Sequence, residues 1–481
     1  MSHAPRPVTP AAPSPAELRE RARQGARATS SALIPIAAAA LSLALVFAFV
    51  ALDYLLGTKI HRLWKLLAGG VGVAVMAARP DVGLFLFPIL TPLMPLLPKL
   101  PVPGLNTGNL VVLSIFMPYA FGSVLQRRPF LRAGRLGAPI AALIVVIGLS
   151  VLRGAAFPTG YTYAAGQAGL AWFRVTMTFF VYFIVVMMVR GPMARRRIAW
   201  AVALALLAES IYTIVFGKMT MGGRANGSLG QANSLGAYLS IAEVFALALL
   251  FGVRGIWPRF VLLATIGLGG FALMLSASRA ALIATAASSL MVLMRSSRLA
   301  LVVAVLVIGA SPLWLPDKVK ERFTSTFVEE DESDEKKLEG GAQERVDTWH
   351  TILQIVEDHA LEGIGFTGLA YVLPQMGSDL GLHVKDSAHS TYLRMLSETG
   401  VIGLGVFVFL LWSAFWLGER GIRAAPSRFD RQIALGVSGG VLAMAISCGF
   451  GDRFWELTIV GNLLVACALV DDMLPQARPA T

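Results

Sequence analysis

Apolar residues recur along the chain in runs close to 20 long, punctuated by short stretches of Gly, Pro, Arg and Lys. A helix of about 20 residues crosses a hydrocarbon layer about 30 Å thick, so each run predicts a membrane span. On this pattern spans fall near 31–56, 63–78, 82–97, 108–125, 137–156, 168–189, 198–217, 234–252, 260–277, 280–294, 299–315, 399–418, 432–449 and 455–470. That makes 14, or 12 if the short, Pro-interrupted pair at 63–97 re-enters from one side. The expected class is an all-α polytopic membrane protein with about 12–14 transmembrane helices and one large outer loop containing amphipathic helix.

Five segments follow: a basic tail at 1–30, a transmembrane bundle at 31–315, a hydrophilic loop at 316–396, C-terminal transmembrane helices at 397–472 and a short tail at 473–481. In the loop, Glu329, Glu330, Asp331, Glu332, Asp334 and Glu335 form an acidic run without the glycine turn and ligand spacing of a calcium loop. It reads as solvated and mobile. Beyond Gly340 and Gly341, the residues Val346, Trp349, Leu353 and Val356 recur at helical spacing. Glu344–His359 is therefore expected to be an amphipathic helix, lying on the membrane surface or packing over the spans, and ended by Gly363, Gly365 and Gly368.

Composition agrees with this pattern: 56% of the 481 residues are hydrophobic, 15% are charged, and the mean hydropathy is +0.67. A soluble domain is about 45–50% apolar and about 25% charged. The net charge of +12 comes from 41 Lys and Arg against 29 Asp and Glu. Its basic residues form short clusters between spans and no continuous patch, which argues against nucleic acid as a partner. Arg127, Arg128, Arg132 and Arg135, then Arg190 and Arg195 to Arg197, Arg254 and Arg259, Arg295 and Arg298, and Arg420 to Arg431 fall in alternate loops. Positive loops face the cytoplasm, so both termini are expected there and 316–396 outside, with Lys59 and Arg62 the main exception. The tail with Arg19, Arg21, Arg23 and Arg27 precedes a run too long for a cleaved signal peptide. Cys448 and Cys467 lie in apolar runs and suggest neither a disulfide framework nor a metal motif.

Candidate chemistry gathers on the outer side. His350, His359, His383 and His389 lie in the large loop, but no pair has the spacing of a zinc site, so no metal is expected. His389 precedes a span through Thr391, Tyr392, Leu393 and Glu398-Thr399-Gly400. Two readings are open for it: a neutral imidazole that takes a proton from a hydroxyl, or a side chain that caps or packs a helix start. Arg224 lies in a Gly-rich connection, Gly222 to Asn233, that opens a span; Arg279 sits at a tight turn between two runs. Guanidinium groups and helix N-termini at such positions suit an anion. Arg345 and Arg174 are further candidates for the same ligand, and each of these arginines is alternatively structural or snorkelling.

Gly223-Arg224 through Gly230 to Asn233, Leu275 to Arg279, Arg345 with Trp349 through Asp358 to Gly365, and His389 with Tyr392 and Glu398 to Gly400 together carry a resemblance. Over roughly 200–420 the chain resembles the bacterial O-antigen ligase and O-antigen polymerase superfamily of membrane glycan transferases, with a fold akin to the GT-C class. The resemblance implies a metal-independent enzyme, without cofactor, in the bacterial inner membrane. Its implied donor is an undecaprenyl-diphosphate-linked oligosaccharide at the periplasmic face. Arg224 and Arg279 would hold the diphosphate and His389 would activate the acceptor hydroxyl, with Arg345 and Arg174 as additional donor contacts. Ser390 stands where the family commonly has Asn, a departure that removes any orienting role of that amide.

The expected function is therefore transfer of a lipid-linked glycan to an acceptor sugar. The product is either an extended O-antigen or exopolysaccharide, the slightly preferred reading, or glycan joined to the lipid A core of lipopolysaccharide. Membrane lipids are partners, and a chain-length regulator is compatible with the resemblance. One rival is a transporter of lipid-linked glycan or anionic solute that forms no bond, for which Arg174 and the Gly/Pro-broken early spans speak. Another is a structural envelope subunit.

Overall fold

The computed structural model describes residues 72, 74–76, 78–97, 107–127, 132–156, 163–220, 222–314, 317, 319–320, 327–330, 333–338, 340–379 and 387–475. These belong to one compact unit, Arg62–Thr481. The basic tail, the expected span at 31–56 and most of that at 63–78 lie outside the described residues, as does His383.

Helices α1 (Pro80–Leu90), α2 (Thr107–Leu125), α3 (Gly137–Ala156), α4 (Ala165–Met188), α5 (Gly191–Phe216) and α6 (Ala232–Leu250) are followed by α7 (Ile256–Ser276), α8 (Arg279–Ser296), α9 (Arg298–Gly309) and α10 (Ser311–Trp314). The outer segment contributes β1 (Phe327–Glu330), β2 (Ser333–Leu338), α11 (Gly340–His359) and α12 (Leu369–Asp379). Three helices close the fold: α13 (Thr391–Ala424), α14 (Arg428–Gly449) and α15 (Leu457–Met473). Among the described residues, 8 helices are long and apolar enough to cross a membrane, and the chain is an all-α polytopic membrane protein apart from the β1–β2 pair. The first of the Pro-interrupted runs that the structure describes, 82–97, is the short α1 followed by a 3-10 turn at Met94–Leu96. Pro92 and Pro95 between and within these two pieces keep the run from forming one long helix.

The interior of the bundle is α6 and α14. Small residues allow their approach: Gly436 lies against Phe245 and Ala248, and Gly439 against Val244 and Val292. Close backbone contact of this kind replaces the hydrophobic driving force that lipid cannot supply between apolar helices.

Two readings of the outer segment are corrected. The acidic run is not structureless: β1 and β2 pair antiparallel, with Glu329 opposite Lys336 and Val328 opposite Lys337. The stripe expected on α11 is rotated. Val346 and Leu353 are 44% and 49% exposed, whereas Thr348, Thr351, Ile352 and Ile355 are buried. Ile352 and Ile355 pack with Ile364, Leu369, Val372, Leu373 and Ala388, so the helix covers its own α12 and the residues before α13.

What fixes this segment to the bundle is a break in α13. At Gly400 the backbone takes φ 68° and ψ −174°, a conformation that glycine adopts without a Cβ penalty. The break frees carbonyls that the helix would otherwise use. Ser397 O accepts from Ile364 N at 2.8 Å, Glu398 O from Gly365 N at 3.1 Å and from Ser150 Oγ at 2.6 Å. In return Val401 N donates to Ala360 O at 2.8 Å. Gly363, with φ +67°, lies so close to the Glu398 carbonyl and Thr399 N that a Cβ would come within 2.6 Å of the latter.

One end of the bundle is held by ion pairs. Buried Arg195 donates to Asp430 at 3.1 Å and to Asp472 at 2.7 Å, joining α5, α14 and α15. Arg135 meets Asp471 at 2.8 Å, and Arg295 of α8 pairs with Glu419 of α13. These belong to the basic clusters assigned above to one side. Replacing Arg195 by Met should leave Asp430 and Asp472 without their shared partner and lower stability by about 3–5 kcal/mol. Thermal unfolding of the purified protein in detergent measures this, and a wild-type midpoint would show that the network does not hold the helix ends.

Candidate functional site

At the opposite ends of α8 and α14 lies a cleft with about 450 Å³ of empty space. Its walls are Asn233 and Ala237 of α6, Ala277 to Ala281 at the α7–α8 turn, Ser447 of α14 with Phe450 and Gly451 beyond it, Arg345 of α11, and Arg453. Arg279 and Arg345 thus line one cleft although they come from distant parts of the chain.

The tight turn expected around Arg279 is present. Ala277 ends α7 in the left-handed region, φ 45°, and Ser278 opens α8 with Arg279 as its first residue. The guanidinium therefore leaves from a helix N-terminus, where unpaired backbone N–H groups add positive potential.

Arg224 reaches the wall of the same cleft. Its Nη2 donates to Asn233 Oδ1 at 2.6 Å and its Nε to Ser276 O at 2.9 Å. The connection that carries it is closed by Thr220 N to Arg224 O at 2.8 Å and tied to α7 by Ala225 N to Leu275 O at 2.8 Å. Beneath it, buried Glu209 of α5 accepts from Ser228 N at 2.9 Å and from Thr213 Oγ1 at 3.2 Å. Ser228 Oγ also donates to Glu209 and, at 2.7 Å, Ser228 bonds Pro92 O. Gly227 (φ +57°) is needed here, because a Cβ would collide with the Glu209 carboxylate and come within 2.8 Å of Leu235.

His389 does not line the cleft; it is half-buried, with φ 50°, two residues before Thr391. On one side, Trp349 Nε1 of α11 donates to Ala388 O at 3.0 Å, four residues after Arg345 on the same helix. On the other, Thr391 Oγ1 donates to Gly451 O at 2.9 Å, a cleft residue, and Tyr392 OH donates to Ala445 O at 2.9 Å. Ser390 is the N-cap of α13, its hydroxyl accepting from Leu393 N at 3.5 Å. The capping role open to His389 thus belongs to Ser390.

The remaining histidines and cysteines are placed differently. His359 lies in a surface group with Arg153 and Glu362, at 3.4 and 3.3 Å, and His350 is exposed. The Glu362 carboxyl is held below its ordinary range by its own backbone N–H and then by His359 and Arg153. Both cysteines are buried and unbonded to each other. Arg174 sits on an exposed part of α4 and is not among the residues that line the cleft.

Sequence reasoning passed over Arg453. It lies in the short connection Gly451 to Glu456 between α14 and α15, where three charges crowd between two apolar helices. That crowding was the available signal, by the same logic that singles out Arg279. Its Nη1 donates to Gln231 Oε1 at 3.0 Å and Ser234 Oγ at 2.8 Å. Its neighbour Asp452 is taken by Arg394 of α13 and, at 2.7 Å, by Trp455 Nε1. Arg394 also bonds Glu398 at 2.9 Å, so α13, which follows His389, and the connection carrying Arg453 are locked together.

A family model described as O-antigen ligase matches residues 263–408. The match supports the O-antigen ligase and polymerase superfamily that the motifs resemble. It spans Arg279, Arg345 and His389, while Arg174, Arg224 and Arg453 fall outside it. No curated protein matches the chain.

Trp349→Phe keeps the ring bulk and deletes one N–H donor to the loop. The loss should amount to about 1 kcal/mol, read as roughly fivefold faster hydrogen exchange at the amides beside His389. Unchanged exchange would mean that the bond does not hold the loop.

Proposed function

We propose that the chain, with its O-antigen ligase match over 263–408, transfers a lipid-diphosphate-linked glycan to an acceptor sugar at the outer face of the bacterial inner membrane. The observation that carries the reading is the gathering of Arg279, Arg345 and Arg453 in one cleft, with Arg224 bonded into its wall; His389 stands two residues before Thr391, whose hydroxyl bonds the cleft residue Gly451. Guanidinium groups match phosphate oxygens in charge and fork geometry. The donor diphosphate lies among them, its undecaprenyl tail against the apolar helices and its sugar towards His389.

The chemistry is one displacement. A neutral imidazole takes the proton of the acceptor hydroxyl as that oxygen attacks the anomeric carbon. The bond from that carbon to the phosphate oxygen breaks, and its electron pair stays on the diphosphate. Attack from the face opposite the leaving group inverts the anomeric centre. No metal is needed in this scheme, because fixed cations meet the charge that develops. The acceptor is either the growing glycan or the lipid A core, and the arginine site serves both.

His389→Ala should lower kcat by about 10²–10⁴-fold with the donor KM little changed. Arg279→Ala and Arg224→Ala should instead raise the donor KM. Purified protein supplied with lipid-linked oligosaccharide and acceptor gives both constants; a His389→Ala variant with wild-type kcat would remove the base from the scheme. Glycan moved across a vesicle without a new linkage would favour transport.

A further inference from the structure

We infer that Arg453 is the cation that meets the charge developing on the departing diphosphate, a role that rests on the transfer reading above. Four observations lead there. Arg453 lines the cleft with Arg279 and Arg345, and the three come from distant parts of the chain. Two of its partners, Gln231 and Ser234, are neutral and stand at the start of α6; they fix the guanidinium without cancelling its charge. Its carboxylate neighbour Glu456 stands at 3.5 Å, at the long end of an ion pair, and offsets the guanidinium charge only in part. Asp452, the nearer acid in sequence, is already engaged by Arg394 and Trp455.

The fourth observation is an unused donor. Arg453 Nε is buried and has no hydrogen-bond partner, on a side chain only 14% exposed. Buried donors of charged groups are costly to leave unmade, and a phosphate oxygen entering the cleft supplies the missing acceptor. Gly451 leaves room for the group, since a Cβ there would come within 3.1 Å of Arg453 Cγ and Nε.

The charge arithmetic favours a role in departure. A diphosphate esterified at both ends carries about two negative charges, and the lipid diphosphate released after bond breaking carries about a third at its new terminal oxygen. Arg224 and Arg279 would balance the two charges of the bound donor, and Arg345 and Arg453 stand beyond that count. A further guanidinium held in advance gains strength as that charge forms, and an interaction stronger in the transition state than in the ground state raises kcat rather than lowering KM.

The test uses full-length protein in detergent, as wild type, R453Q and R453K, with two measurements. Steady-state kinetics with lipid-linked donor should show kcat of R453Q reduced about 10²–10³-fold, KM within about threefold of wild type, and partial recovery in R453K. Titration calorimetry with inorganic pyrophosphate should show an affinity loss of about tenfold or more in R453Q, with R453K between. Melting curves of the variants establish that they fold. A kcat for R453Q equal to wild type, or a loss confined to KM, overturns the leaving-group role. If the wild type forms no glycosidic bond, the transfer reading falls, while R453Q-sensitive pyrophosphate binding keeps Arg453 as a diphosphate ligand. Pyrophosphate binding unchanged in R453Q overturns the assignment in either case.

Discussion

The break of α13 at Gly400 is the constraint on which the site depends. An uninterrupted helix would satisfy its own carbonyls and offer nothing to the outer segment. The break turns Ser397 O and Glu398 O into acceptors, and the loop after α11 supplies the matching N–H groups from Ile364 and Gly365. Because that exchange is made of backbone bonds at a position where only glycine fits, it fixes where α11 can lie. Through α11 it fixes Arg345, and through the Trp349 bond to Ala388 it fixes the approach to His389. Arg394 acts on the same helix turn from the other side, bonding Glu398 and Asp452 and lying over the rings of Phe366 and Trp455 at 5.2 and 5.9 Å. The loop, the broken helix and the 451–456 connection therefore behave as one body.

The two ends of the bundle use arginine in opposite ways. At one end Arg195, Arg135 and Arg295 meet carboxylates, which neutralises charge that a low-dielectric surrounding would otherwise penalise. At the cleft, Arg224 and Arg453 are gripped by a backbone carbonyl, amide oxygens and a hydroxyl. Such partners orient a guanidinium while preserving its field. The first arrangement holds helices together; the second maintains a positive potential where an anion can use it.

Much of the architecture was legible because lipid thickness imposes one length on every span. The run at 137–156 became α3 with the same limits, and those at 108–125, 260–277 and 432–449 became α2, α7 and α14 within a few residues. Periodicity served less well on α11, where Thr348 and Thr351 share the buried face with Ile352 and Ile355 while Val346 and Leu353 look outward. A threonine whose hydroxyl bonds back to the helix is apolar enough to bury, as Thr348 Oγ1 to Glu344 O at 2.6 Å shows, and a hydropathy stripe does not count it. The start of α13 at Thr391 was hidden too, because its first turns lie among the polar residues before the apolar run. Arg279 and Arg224 could be singled out by their Gly-rich or tight-turn settings. Arg453 belongs to a connection too short to attract notice, and its relation to Arg279 and Arg345 exists only once α8, α11 and α14 are packed.

This division of the site bears on how one scaffold could serve either acceptor. On the proposed chemistry, the diphosphate is common to every donor, whatever glycan it carries, and its cations leave from helix termini and from a short connection tied to α6. Rigid elements suit a ligand that never changes. The base, by contrast, stands on a loop whose cover is α11, α12 and the segment between them, held to the bundle chiefly around Gly400. Residues that would meet the acceptor hydroxyl thus belong to a part of the fold apart from Arg224, Arg279 and Arg453, whereas Arg345 on α11 belongs to the outer segment itself. On the proposed function, choice of acceptor would then reside in the outer segment, and the same cations would serve departure of the lipid diphosphate whether the glycan is lengthened or passed to a lipid core.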